Sequence, residues 1–177
     1  MNDGQGGGAG PSSSPALGDR LVEVNHHLRM ELETVRTVLE QVRQGVEDAS
    51  LAGDAINDLI LRENDWRLGA CCATYARVVS AHHGLEDDSV FPHLLHAEPG
   101  LSDVLDRLTD EHHVIHGVLQ LLDERLVEFI AAPGDFSGVQ DAINLLGDTL
   151  LPHLEYEEEQ LVEPLSRWGF YPDQVMG

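Results

Sequence analysis

An all-α fold, an antiparallel up-down-up-down four-helix bundle, is what this sequence predicts, on three observations. Apolar residues recur at steps of three and four over four long stretches, no segment alternates as a strand would, and short connections join the stretches. At 177 residues and 42% hydrophobic, the chain suits one soluble domain with a packed core, and it has no run of about 18 apolar residues to span a membrane.

Residues 1–16, MNDGQGGGAGPSSSPA, offer almost nothing apolar to bury and predict a disordered tail. The first helix, over 17–45, carries the stripe Leu21, Val24, Leu28, Leu32, Val35, Leu39 and Val42. Residues 50–64, with Leu51, Ile56, Leu59 and Ile60, suggest a loop and a short helix. A second long helix follows Asp65 through Leu68, Tyr75, Val78, Val79, Leu85 and Leu94, and Pro99-Gly100 closes it. The third runs from Ser102 through Leu105, Leu108, Ile115, Leu119, Leu122 and Leu126 and stops before Pro133-Gly134. The fourth starts near Ser137 and continues through Val139, Ile143, Leu146, Leu150, Leu161 and Leu165. The bundle thus covers 17–170, with a C-terminal tail over 171–177. Pro92, Pro152 and Pro164 fall inside helical patterns, where each removes a backbone hydrogen bond and should bend its helix.

Ten basic residues, all arginine, stand against thirty-two acidic ones, for a net charge of -22. Such a surface repels phosphate backbones and anionic lipid heads, which argues against nucleic-acid and membrane partners. Cys71 and Cys72 are adjacent and form no disulfide framework, and no signal segment opens the chain, so a reducing cytoplasm is the expected location.

The ten histidines carry the chemistry. At about 100° per residue, His112 and His116 fall within the arc of Leu105, Leu108 and Leu119, with His113 off it. His82 lies between Val78 and Val79 on the wheel and Glu86 follows one turn on, while His83 rotates away. His153 and Glu157 are central to the last stripe, with Glu158 about a quarter turn off. His27 flanks the first stripe near Val38, and His26 points to solvent. Cys71 faces inward and Cys72 obliquely; Tyr75 either packs over the site or fills core.

A lone inward histidine is ordinarily a core residue bonded to a carbonyl. Seven inward groups are different, because each buried polar group without a partner costs about 1–3 kcal/mol. One or two metal ions satisfy all of them at once. Imidazole with carboxylate and no core thiolate suits iron, manganese, copper or zinc. Seven ligands are too many for one tetrahedral zinc. Two six-coordinate ions with two bridging carboxylates and a bridging oxo or hydroxo leave one open position, as reversible binding of a small diatomic or peroxide requires.

The pairs HHGLE (His82 to Glu86) and HLEYE (His153 to Glu157), with EHHVIH and NHHLR, resemble the HxxxE repeats of the hemerythrin-like, or HHE cation-binding, domain over roughly Leu17 to Gly169. The stretch NDWRLGACCATYARVV is similar to actinobacterial members. The resemblance implies a non-haem di-iron centre with His27, His82, His112, His116 and His153 as terminal ligands and Glu86 and Glu157 bridging. Some relatives place the last carboxylate one residue later, at Glu158; the wheel favours Glu157. The expected function is binding or sensing of oxygen, nitric oxide or peroxide. The alternatives are an enzyme turning over peroxide or nitric oxide, and passive iron or zinc binding. Any electron donor or signalling partner must act in trans.

Overall fold

The computed structural model describes residues 16–49, 54–132 and 135–169. The two predicted tails, apart from Ala16, and Leu51 lie outside them. The helices are α1 (Leu17–Ala49), α2 (Asp54–Leu85), α3 (Phe91–Ala97), α4 (Ser102–Ala131) and α5 (Ser137–Trp168). The short helix expected over 50–64 does not stand apart. From Asp54 onward it is the first part of α2, so the second arm of the bundle begins earlier than the sequence suggested.

Each helix buries a stripe of period three and four. In α1 it is Leu21, Asn25, Leu28, Leu32, Val35, Leu39 and Val42; Val24, assigned to it from sequence, is exposed. The helices pack as a closed ring, α1 on α2, α2 on α4, α4 on α5 and α5 on α1. Neighbours run in opposite directions. Early α1 meets late α5 where Asn25 bonds Glu157, and Arg36 further along α1 lies against Gly147. Likewise Glu111 reaches His153 while Arg125 lies against Gly138.

α1 and α5 approach closely at Gly18, where a Cβ would meet the Val162 carbonyl oxygen. Backbone cannot move aside as a side-chain tip can, so overpacking of about 1–3 kcal/mol should exceed the ~1 kcal/mol helix-propensity gain of alanine. Gly18→Ala is expected to lower the melting temperature by a few degrees, and an unchanged or raised melt would contradict this contact. At the other end, α5 stops at Gly169, whose φ of 66° lets its N–H close on the Leu165 carbonyl.

The second arm is interrupted where sequence predicted one continuous helix. A π-helical turn over Glu86–Val90 separates α2 from α3, and the Phe91 N–H reaches the Glu86 carbonyl. This accounts for Pro92. The widened turn precedes the proline, where a regular helix would set its ring against the carbonyl four residues back. The turn also shifts phase by one residue, so Phe91 and Leu94 enter the core after Glu86. Pro152 and Pro164 are held within α5.

Two apolar clusters fill the bundle. The larger includes Leu28, Leu32, Val79, Ile115, Leu150 and Leu154; the smaller includes Leu21, Phe91, Leu94, Leu108, Leu161 and Leu165. Along every helix the boundary between them falls on polar residues: Asn25, His82 to Glu86, His112, and His153 to Glu157. A buried polar layer therefore crosses the bundle between two dry cores.

Candidate metal centre

Two ligand triads make up this layer. His83, His112 and His153 place ring nitrogens within 4.8 Å of one another, and His82, Glu86 and Glu157 do the same. Ligands on opposite sides of one ion at bond lengths near 2.1 Å would stand roughly 4.2 Å apart, so each set need contract only slightly to form a coordination sphere. Glu86 joins them: its Oε1 is 3.2 Å from His82 Nε2 and its Oε2 is 3.4 Å from His112 Nε2. The imidazoles are in mutual contact, with His83 stacked on His112 at 3.9 Å between centroids and His153 edge-on to both.

The hydrogen bonds orient the rings. His112 Nδ1 is 2.9 Å from Asp87 Oδ1, and His153 Nδ1 is 3.0 Å from Glu111 Oε2. A carboxylate only accepts, so each Nδ1 carries the proton and each Nε2 presents a lone pair to the centre. This is how a metal-ligating histidine is commonly backed. The backing residues are fixed in turn. Thr109 donates its hydroxyl to Asp87 at 3.3 Å, and Arg107 donates Nε to Glu111 at 2.8 Å while lying 3.6 Å over the Tyr156 ring. On the opposite side Asn25, fully buried, donates Nδ2 to Glu157 Oε2 at 2.9 Å.

Most of the buried side-chain atoms that the described residues leave without a hydrogen bond gather here. Nε2 of His82, His83, His112 and His153, Oε2 of Glu86, Oε1 of Glu157 and Oδ1 of Asn25 are all buried without a hydrogen bond. Burial, with repulsion from the neighbouring imidazoles, drives the His83 pKa down to about 2. Burial also lowers His82 and His112, and it raises Glu86 well above the carboxylate range, with Glu157 adding to the rise. Neutral imidazole nitrogens and carboxylate oxygens converging without partners fit a cation. Among the described residues no arginine forms an ion pair with them: Arg29 pairs with Glu158 at 2.6 Å and Arg107 with Glu111.

Of the residues singled out from sequence, the structure brings together His82, Glu86, His112, His153 and Glu157. It does not bring in His27 or His116. The His27 side chain is 62% exposed and 4.0 Å from Glu31. The α1 stripe passes from Leu21 to Leu28 through Asn25, which occupies the place expected for an imidazole. His116 is exposed because the α4 stripe runs from His112 to Ile115 and then to Val118 and Leu119. His83 is buried, against expectation. Val78 proves exposed, the α2 stripe follows Leu68, Cys72, Tyr75 and Val79, and His83 stands one turn beyond Val79. The same correction puts Cys72 in the core and leaves Cys71 half-buried. Tyr75 fills core, and its hydroxyl donates to the Leu28 carbonyl at 3.0 Å. Asn25, Asp87 and Glu111 were missed, although Asp87 follows a ligand candidate directly and Glu111 precedes one.

A family model described as the hemerythrin HHE cation binding domain matches residues 20–165. The match gives no support to an actinobacterial source. No curated protein and no solved structure matches the chain. Among the described residues no helix is long and apolar enough to cross a membrane. With the match covering most of the chain and the His/Glu cluster at its centre, the protein belongs to the hemerythrin HHE cation-binding domain family.

Proposed function

We propose that the chain holds a non-haem di-iron centre and binds or senses a small ligand, oxygen, nitric oxide or peroxide, at an open iron position. One observation carries the reading: unpartnered Nε2 and carboxylate oxygens of two adjoining triads point at each other, with Asp87 and Glu111 fixing two of the rings. His83, His112 and His153 would hold one ion and His82 the other, with Glu86 and Glu157 shared between them.

The donor count differs from that expected by sequence. Four imidazoles and two bridging carboxylates, with an oxo or hydroxo bridge, would leave two of twelve positions over two octahedral ions, and Asn25 Oδ1 is a further buried oxygen without a hydrogen bond, on a side chain bonded to Glu157. The ion served by His82 is the imidazole-poor one and is the natural place for the vacancy. Iron held there by His82, Glu86 and Glu157 would supply a centre able to coordinate a diatomic or peroxide.

Binding is favoured over turnover. The tyrosine nearest to this role, Tyr75, gives its hydroxyl proton to the Leu28 carbonyl, and burial raises its pKa above the usual phenol range, so it is no ready acid for the site.

Protein produced in iron-replete cells and purified in air is expected to carry two irons per chain and to show oxo-to-iron bands in the near ultraviolet. Reduction should bleach those bands, and the reduced protein should then take up nitric oxide with new absorption of its own. A colourless protein with one zinc per chain would overturn the reading.

A further inference from the structure

Beside the polar layer, α1, the end of α2 with its π turn, and α5 leave a cavity of about 240 Å³. Its walls are apolar, chiefly Leu21, Val24, Leu85, Val90 and Leu161. Its polar end is formed by His82, Glu86 and Glu157, the imidazole-poor triad, and Arg20 also lines it. The other triad does not reach it. Val24 and Leu85 are 42% and 55% exposed, so among the described residues the cavity opens to solvent between apolar side chains that no packing accounts for.

Size separates two classes of occupant. A diatomic or hydrogen peroxide needs little more than a water's share of space, roughly 30 Å³, whereas an apolar cavity of roughly 150 Å³ takes up benzene. The space here is several times what the smaller ligands need, and the excess is lined by hydrocarbon. The polar end sets the chemistry of the head. His82 and Glu86 line that end with a little accessible surface, while Glu157 is wholly buried behind them. A hydroxyl or hydroperoxyl group donates an O–H to the Glu86 carboxyl, while a carboxylate head would face that carboxyl in a chain of net charge -22, with Arg20 the one cation among the lining residues.

The geometry points to a binding site for a neutral organic molecule of about six carbons bearing a hydroxyl or hydroperoxyl group. Its tail lies among Leu21, Val24, Leu85 and Leu161, and its head meets His82 and Glu86. This deepens the proposed function and rests on it only in placing the head beside the iron.

The test is calorimetric titration of 1-hexanol into the full chain, metal-free and iron-loaded. One saturable site per chain is expected in at least the metal-free form. Val24→Trp and Leu85→Trp, both at the exposed rim, should each weaken hexanol at least tenfold. Both should leave iron content and nitric oxide uptake unchanged, and Val127→Trp, on exposed α4 surface, should bind as the parent does. Hexanoate should bind at least tenfold more weakly than hexanol. Absence of saturable hexanol binding in the metal-free chain, parent-like affinity in both rim variants, or hexanoate binding as tightly as hexanol would each overturn the proposal. Iron content is read separately, so hexanol binding to a chain that takes up no iron would count against the di-iron reading alone.

Discussion

His83→Leu is expected to strip the metal from the protein while leaving the metal-free fold as stable as before, or more so. In the metal-free chain His83 is 4% exposed, its Nε2 has no partner, and its pKa of about 2 records how poorly the site tolerates its charge. Replacing an unsatisfied buried polar group by an apolar one of similar volume is nearly neutral or stabilising. Once metal is present the sign reverses, since the unfolded chain has no preformed site and binding free energy is folding free energy. At metal concentrations about a thousandfold above Kd the parent gains about 4 kcal/mol, or roughly 8–16 °C of melting temperature at this size. His83→Leu should lose most of that gain and carry less than half the parent's iron. His27→Leu and His116→Leu, both exposed, should keep iron and melting temperature within error. Paired melts with and without iron, plus metal analysis, check all three. Full iron in His83→Leu, or equal loss in His116→Leu, would refute the placement of the triads.

The bundle was legible because burial there has one period. Stripes such as Leu28, Leu32, Val35, Leu39 and Val42 leave little choice of helix face, and Ser137 begins α5 as expected, with Asp135 accepting its N–H and hydroxyl. The polar layer was legible only in part, for two physical reasons. A wheel resolves about 100°, and neighbours such as His82 and His83 straddle the edge of a stripe whose centre was misjudged by admitting Val78. It also assumes a regular helix, which the π turn at Glu86–Val90 violates. Asn25 escaped notice for another reason: an amide on a stripe reads as an interruption until the carboxylate it bonds, 132 residues away, is known. Asp87 and Glu111 could have been sought once His112 and His153 were in view, since a ligating imidazole needs an acceptor for its other nitrogen.

Acid should destabilise the metal-free protein well above the pH at which carboxylates titrate. His82, His83 and His112 have folded pKa values lowered from 6.5, by burial first and by neighbouring imidazoles next. A lowered folded pKa means that the unfolded chain binds the proton first. The stability these groups leave intact above pH 6.5 is therefore lost progressively below it, down to about 2 for His83. Glu86 acts oppositely. Its folded pKa is raised from 4.5 by burial and by Glu157, so its contribution is present at low pH and is lost as pH rises through the folded value. Three histidines outnumber one glutamate, so unfolding takes up protons as the pH falls below 6.5 and stability falls with it. The surface opposes this, because a chain of net charge -22 repels itself less as its carboxylates protonate. Salt separates the two. Exposed charges are screened within about 3–10 Å at 1 to 0.1 M, and the buried rings are not. Urea unfolding of metal-free protein at pH 7.5, 6.0 and 5.0 in high salt is expected to show falling stability, and in low salt a shallower fall. Iron-loaded protein should hold out to lower pH, since bound metal keeps imidazole and carboxylate deprotonated, and then release iron cooperatively with several protons taken up. A metal-free protein whose stability in high salt is flat or rising from pH 7.5 to 5.0 would show that these imidazoles are not buried and neutral together.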